Sequence, residues 1–234
     1  MGPSAADRQV TQGRPREAAA LGAQRQDVRQ PAEPFRMTQI DQGHSIFKNV
    51  FARAEMIGVV DKLAADTLQR TKAGARHLLN VPVVRDLSDD PRMLDIARQF
   101  VGPEAVAFRA TLFDKSPAAN WLVVWHQDTA SPAWALERVV ALRVSLDDSS
   151  MTNGPLRVLP DTHRGGVYSD EQIEQLARST APMDCVAPSG SVVAMRPLTI
   201  HASSKSSDAQ PRRVLHIEYA ATINLGSGFE LAVA

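Results

Sequence analysis

With a single cysteine, Cys185, in 234 residues, the chain can form no disulfide within itself. Its fold must rest on packing, and an unpaired thiol suits a reducing, cytoplasmic setting. Neither sign of charge is in excess: 26 Lys and Arg stand against 26 Asp and Glu. That excludes the broad basic footprint of a nucleic-acid binder and the polybasic attraction to an anionic membrane surface. No apolar run approaches the roughly 18 residues that a membrane-spanning helix needs. The first residues lack the basic-then-apolar layout of a secretory signal. Internal repeats are absent as well.

Large apolar groups are missing from residues 1–36, where Ala, Gln, Arg, Pro and Gly predominate. Leu21, Val28 and Phe35 are too sparse to bury a face, so this stretch is expected to be a disordered extension. Residues 37–234 are expected to form one domain. In that domain Met56, Val59, Val60, Leu63, Ala64 and Leu68 recur at helical spacing. Asp90 before Pro91 predicts a capped helix start, and Gly102–Pro103 predicts its end. From Ala105 the pattern turns to strands, over 105–113, 120–127, 138–146, 155–160, 184–187, 191–195, 198–202 and 212–222. One helix interrupts them at 169–179, where Ser169 and Gln172 form a capping box. A mainly β chain with flanking helices and many short strands suits a double-stranded β-helix, the cupin-like jelly roll.

The chemistry centres on Val123–Thr129. Leu122 to Trp125 read as strand, and residues two apart on a strand share a face. His126 and Asp128 therefore point one way and Gln127 the other. Alone, a His-x-Asp pair is more often a surface ion pair than a metal site. A second histidine at a strand end, His201 in Thr199–Ser203, changes the balance. Two imidazoles and one carboxylate are the facial ligand set of non-haem Fe(II) oxygenases. The same set also holds catalytic zinc, but no helical His pair or activated base accompanies it here.

These residues resemble the phytanoyl-CoA dioxygenase family of Fe(II)- and 2-oxoglutarate-dependent oxygenases. The likeness extends to Leu112–Pro117, Asn120–Trp121, Asn153–Pro160, Thr162–Arg164, Ser189–Ser191 and the strand Pro211–Tyr219, in the family's order over roughly residues 40–222. It implies a jelly roll that binds Fe(II) through His126, Asp128 and His201, and that consumes 2-oxoglutarate and O2. Succinate and CO2 are the implied co-products, and hydroxylation of a small organic substrate is the default outcome. The cosubstrate's distal carboxylate needs a cation, best an arginine fork. The family carries that arginine on the strand after the distal histidine, which favours Arg212 with Arg213 as the alternative. Ser203 matches a family position that also touches the cosubstrate, although a turn cap would explain it equally. Arg76 matches a basic residue that reaches the cosubstrate.

Gln127, Trp134 and Lys115 are the candidates for substrate contact. The loop 129–137 is shorter than in many relatives, and Trp134 is its only aromatic, so the mouth of the site is expected to stand open. His163 and His216 read as structural or core histidines, and Cys185 as a buried strand residue. The rival reading is a cupin-type metal-binding protein, or a non-catalytic family member, that does not use 2-oxoglutarate. Sequence alone does not fix the substrate or the oligomeric state.

Overall fold

The computed structural model describes residues 42–71, 73–117, 119–129, 133–226 and 229–233. The expected extension over residues 1–36 lies outside them. The chain enters through β1 (His44–Phe47) and α1 (Arg53–Ala65), then a short hairpin, β2 (Arg70–Thr71) and β3 (Gly74–Arg76). Two helices follow, α2 (Pro82–Ser88) and α3 (Pro91–Val101). The β region comprises β4 (Val106–Lys115), β5 (Val123–His126), β6 (Val139–Ser145), β7 (Leu156–Val158), β8 (Met183–Cys185), β9 (Val192–Met195), β10 (His201–Ser203) and β11 (Arg212–Ala220). Helical insertions α4 (Ala133–Leu136) and α5 (Asp170–Ser179) interrupt it, and a hairpin of β12 (Asn224–Gly226) and β13 (Phe229–Glu230) closes the chain.

The strands form two facing antiparallel sheets, ordered β1-β9-β6-β11-β4-β3-β2 and β5-β10-β7-β8. This is the expected jelly roll. Strand alternation divides the large sheet into two faces. Leu142, Val144, Leu215, Ile217 and Tyr219 turn outward and pack beneath Met56, Leu63, Val84, Met93 and Ile96 of the first three helices. Residues of opposite parity turn into the space between the sheets. Leu156, Val158, Cys185, Val193 and Met195 fill one part of that space, and the remainder is an open cleft. On the outer side of the small sheet, Ile173 of α5 covers Leu159 and Ile200.

Local chemistry explains the boundaries. Asp90 caps α3, with its carboxylate accepting from the Arg92 N–H at 2.8 Å. Ser169 and Gln172 form the expected capping box of α5. Several expected strands are shorter or shifted: β7, β8 and β10 cover Leu156–Val158, Met183–Cys185 and His201–Ser203, and β5 begins at Val123 rather than near 120. There Asn120 is diverted into a two-way clasp on the Ser206 backbone, donating at 2.7 Å and accepting at 2.6 Å. The helix α2, the hairpin β2–β3 and the turn α4 were not expected from the pattern.

Candidate active site

Pairing of β5 with β10 sets His126 directly across from His201. Their ring centroids are 4.2 Å apart. Asp128 lies just past the end of β5, and its backbone N–H donates to the Pro197 carbonyl at 3.0 Å. That bond fixes the turn so that one carboxylate oxygen lies 3.7 Å from His126 Nε2 and the other 3.7 Å from His201 Nε2. One ligand atom from each residue falls within 4.8 Å of the others. The ring nitrogens are set correctly for a metal. His126 Nδ1 lies 2.9 Å from the Val124 carbonyl and His201 Nδ1 lies 2.9 Å from the Thr199 carbonyl. A carbonyl only accepts, so each Nδ1 carries the proton and each Nε2 offers a lone pair beside Asp128.

Electrostatics agree with a cation site. Burial pushes the His201 imidazole down to about 4, which keeps it neutral at ordinary pH. Burial also raises the Asp128 carboxyl, but the surrounding His201, His216, His126 and Arg143 outweigh it and hold the group below its usual value. A deprotonated imidazole at His201 beside the Asp128 carboxylate is what a divalent ion requires.

The three residues open onto a cleft of about 450 Å³ between the sheets, within the range of small-molecule sites. Arg212 turns into it and is only 4% exposed. Its Nε donates to the Asn153 carbonyl at 3.2 Å, and an Nη lies 3.5 Å from Ser203 Oγ. The turn Asn153–Gly154 therefore does more than reverse the chain. Gly154 has φ +70°, and a Cβ there would stand 2.3 Å from the Ser204 carbonyl oxygen, so glycine is required where this turn supports the arginine. Arg213 faces the opposite way, as alternation demands. Its guanidinium makes two bonds of 2.8 Å to Asp147 on the outer side of the sheet.

Lys115 is fully buried and paired across the sheet with Arg212. Its ammonium donates to Ser203 Oγ at 2.7 Å and to the Ser204 carbonyl, with the Trp121 ring 5.4 Å away. Burial, then Arg212 and Arg143, push Lys115 down to about 8. Burial and then Arg143 bring Arg212 down to about 10. Arg143 and Arg212 line the cleft, with Lys115 packed behind Ser203 and near enough to feel both charges. Such a group of cations suits a bound dianion.

The remaining candidates separate by position. Arg76 is exposed at the cleft edge. Lys115, a candidate for substrate contact, lies behind Ser203 at the Arg212 end. Gln127 commits its side chain to backbone: it donates to the Gly166 and Leu198 carbonyls at 2.8 and 2.7 Å and accepts from the Tyr168 N–H at 2.9 Å. It clamps the strand end to the loop before α5, and those bonds leave its amide little capacity for substrate. Trp134 sits exposed on α4, outside the residues that line the cleft. Of the short loop, residues 130–132 lie outside the described residues.

Arg143, Arg109 and Glu218 join the cleft without having been expected there, and His216, expected as a core histidine, lines it as well. Arg143 donates to His216 Nδ1 at 3.0 Å. Arginine has no acceptor, so His216 carries its proton on Nε2; burial and then Arg143 hold its pKa down at about 3. Arg109 and Glu218 form an ion pair at 3.1 Å on the same face. The available signal was charge at alternating positions of otherwise apolar strands, since charged groups are rarely buried without a role.

The sequence matches the family model for phytanoyl-CoA dioxygenase over residues 29–214. A probable alpha-ketoglutarate-dependent hypophosphite dioxygenase of Stutzerimonas stutzeri is 28% identical over 144 residues, which cover 56% of this chain and 50% of that protein. The L-proline trans-4-hydroxylase of Streptomyces griseoviridis is 29% identical over 161 residues, covering 55% of this chain and 59% of that protein. The chain thus spans little more than half the length of these curated relatives. Among solved structures, iron-bound EctD from S. alaskensis superposes with a TM-score of 0.68 at 22% identity, covering 83% of this chain and 78% of that one. The likeness at that identity establishes the fold.

Proposed function

The chain belongs to the phytanoyl-CoA dioxygenase family, and from that premise we propose that it is an Fe(II)- and 2-oxoglutarate-dependent oxygenase acting on a small organic molecule. The observation that carries this reading is the convergence of His126, Asp128 and His201 within 4.8 Å in a cleft that also holds the buried Arg212. Ferrous iron and 2-oxoglutarate, when bound, supply the oxidising chemistry: O2 is consumed, the oxo acid leaves as succinate and CO2, and one oxygen atom enters the substrate.

The chain's own residues bind and orient. His126 Nε2, His201 Nε2 and the Asp128 carboxylate would hold the metal, with the Val124 and Thr199 carbonyls keeping both imidazoles in the right tautomer. Arg212 would take the distal carboxylate of 2-oxoglutarate, supported by Ser203 and by the second buried cation, Lys115. The surrounding wall keeps water away from these charges and strengthens their hold on the ligand. A reducing, cytoplasmic setting suits both a ferrous site and the buried Cys185 thiol. Among the described residues no helix is long and apolar enough to cross a membrane. The named relatives act on small molecules, which agrees with the size of the cleft.

The test is cosubstrate turnover. Protein supplied with Fe(II), 2-oxoglutarate and O2 should form succinate and CO2 in equal amounts, slowly even without a prime substrate. Substitution of Zn(II) should stop it. No succinate above a metal-free control would remove the oxygenase reading.

A further inference from the structure

The lumen face of the large sheet carries its polar groups in rows. Register places Lys115 beside Arg212, Thr111 beside His216 and Arg143, and Arg109 beside Glu218. Arg212 and Glu218 are six residues apart on one strand, or about 20 Å at the usual rise. The cosubstrate cation therefore stands at one end of the cleft, and the Arg109–Glu218 pair stands at the other.

That far end has a distinct construction. The pairing of β4 with β11 runs Glu218 to Arg109 and then Tyr219 to Ala107, so Phe108 is an extra residue in a β-bulge. A bulge re-aims side chains, and here both Phe108 and Arg109 line the cleft, although they are consecutive. Leu136 and Val139 add apolar wall beside them. Glu218 is only 11% exposed at its side chain, whereas Arg109 is 35% exposed. The pair uses the Arg109 Nε edge, and Glu218 is the only ion-pair partner of Arg109 among the described residues. Arg109 lines the cleft and makes no other hydrogen bond or ion pair among the described residues, so its Nη donors are not committed to a protein partner. Arg76 adds a second cation to this lining, on β3 and paired with Thr111 two residues along β4 from Arg109.

We propose that this end of the cleft recognises the substrate, and that the substrate is a small organic anion whose carboxylate or phospho-oxyanion binds the Nη edge of Arg109. This rests on the oxygenase reading for what happens next, not for the binding itself. Glu218 is a positioning residue: it holds the Nε edge of the guanidinium and leaves the Nη donors for the ligand. Arg76 contributes charge at the rim. Phe108, Leu136 and Val139 take the apolar body of the molecule, which places its carbon skeleton between Arg109 and the ligand triad. With 2-oxoglutarate seated at Arg212, only a small molecule fits within the walls.

The experiment is calorimetry under anaerobic conditions on protein loaded with Fe(II) and saturating 2-oxoglutarate, so that Arg212 is occupied. The probes are cyclopentanecarboxylate, cyclopentylphosphonate and, as the neutral match, cyclopentanecarboxamide. At least one anion should bind about ten-fold or more tightly than the amide, and the two anions show which oxyanion the site prefers. Arg109→Ala should weaken that anion by about ten- to a hundred-fold while leaving the 2-oxoglutarate affinity and the melting temperature in place. Should Arg109→Ala fold poorly because Glu218 is left unpaired, Arg109→Ala with Glu218→Gln removes that problem and should show the same loss. Equal binding of amide and anions, no binding of either anion, or unchanged anion binding in these variants would overturn the proposal. Failure of 2-oxoglutarate to bind would instead remove the oxygenase reading. Arg109-dependent anion binding would still be scored on the metal-free protein.

Discussion

Asp128→Ala is expected to eliminate succinate formation and to weaken Fe(II) binding by more than about a hundred-fold. Loss of a group that merely orients a ligand typically costs ten- to a hundred-fold in metal affinity, and Asp128 supplies the only carboxylate of the triad. Its two oxygens lie 3.7 Å from His126 Nε2 and 3.7 Å from His201 Nε2, so no neighbouring group can replace it without moving the strand end. The fold should survive. Asp128 sits past the end of β5, and its backbone bond to Pro197 is independent of the side chain. Succinate yield and an Fe(II) titration check both statements. Wild-type turnover in Asp128→Ala would show that the ligand set is wrong.

Arg212→Ala should raise the apparent KM for 2-oxoglutarate by roughly ten- to a hundred-fold, because a lost hydrogen bond to a charged group costs about 1.5–3 kcal/mol. Arg213→Ala should leave that KM unchanged. Arg213 pairs with Asp147 on the far side of the sheet and is partly exposed, so its removal should cost within about 1 kcal/mol of stability. A KM effect confined to Arg213 would mean that the strand is displaced by one residue, since one step exchanges the two faces. Pro211–Arg212–Arg213 is therefore a place where a single register decides which of two identical side chains is functional.

Features set by local chemistry were readable in the sequence. Asp90–Pro91 and Ser169–Gln172 announce their helices because a cap needs only the chain's own next residues. His126 and Asp128 announce themselves through strand alternation. The family resemblance favours Arg212 over Arg213, and Arg212 is the more buried of the two. Other features depend on long-range placement and were hidden. The helix α2 is seven residues long, too short for periodicity to appear, and its N-cap Val81 makes no side-chain cap bond. Pro82 at its first turn was the available sign. Gln127 reads as a candidate for substrate contact until the loop at Gly166–Tyr168 is seen to take its amide. Arg109, Arg143, His216 and Glu218 come from three strands, and only the pairing register assembles them. Phe108 is misread by simple alternation, because the bulge inserts it as an unpaired residue.

The most direct measurement is an anaerobic titration of the metal-free protein with Fe(II) and then 2-oxoglutarate, followed by visible absorption. If His126, Asp128 and His201 hold ferrous iron and leave adjoining positions for a chelating oxo acid beside Arg212, a charge-transfer band should grow. It should saturate at one equivalent of each ligand, be absent with Zn(II), disappear in Asp128→Ala, and require about ten- to a hundred-fold more 2-oxoglutarate in Arg212→Ala. An unchanged spectrum at saturating Fe(II) and 2-oxoglutarate would contradict the assignment of both the metal site and its cosubstrate.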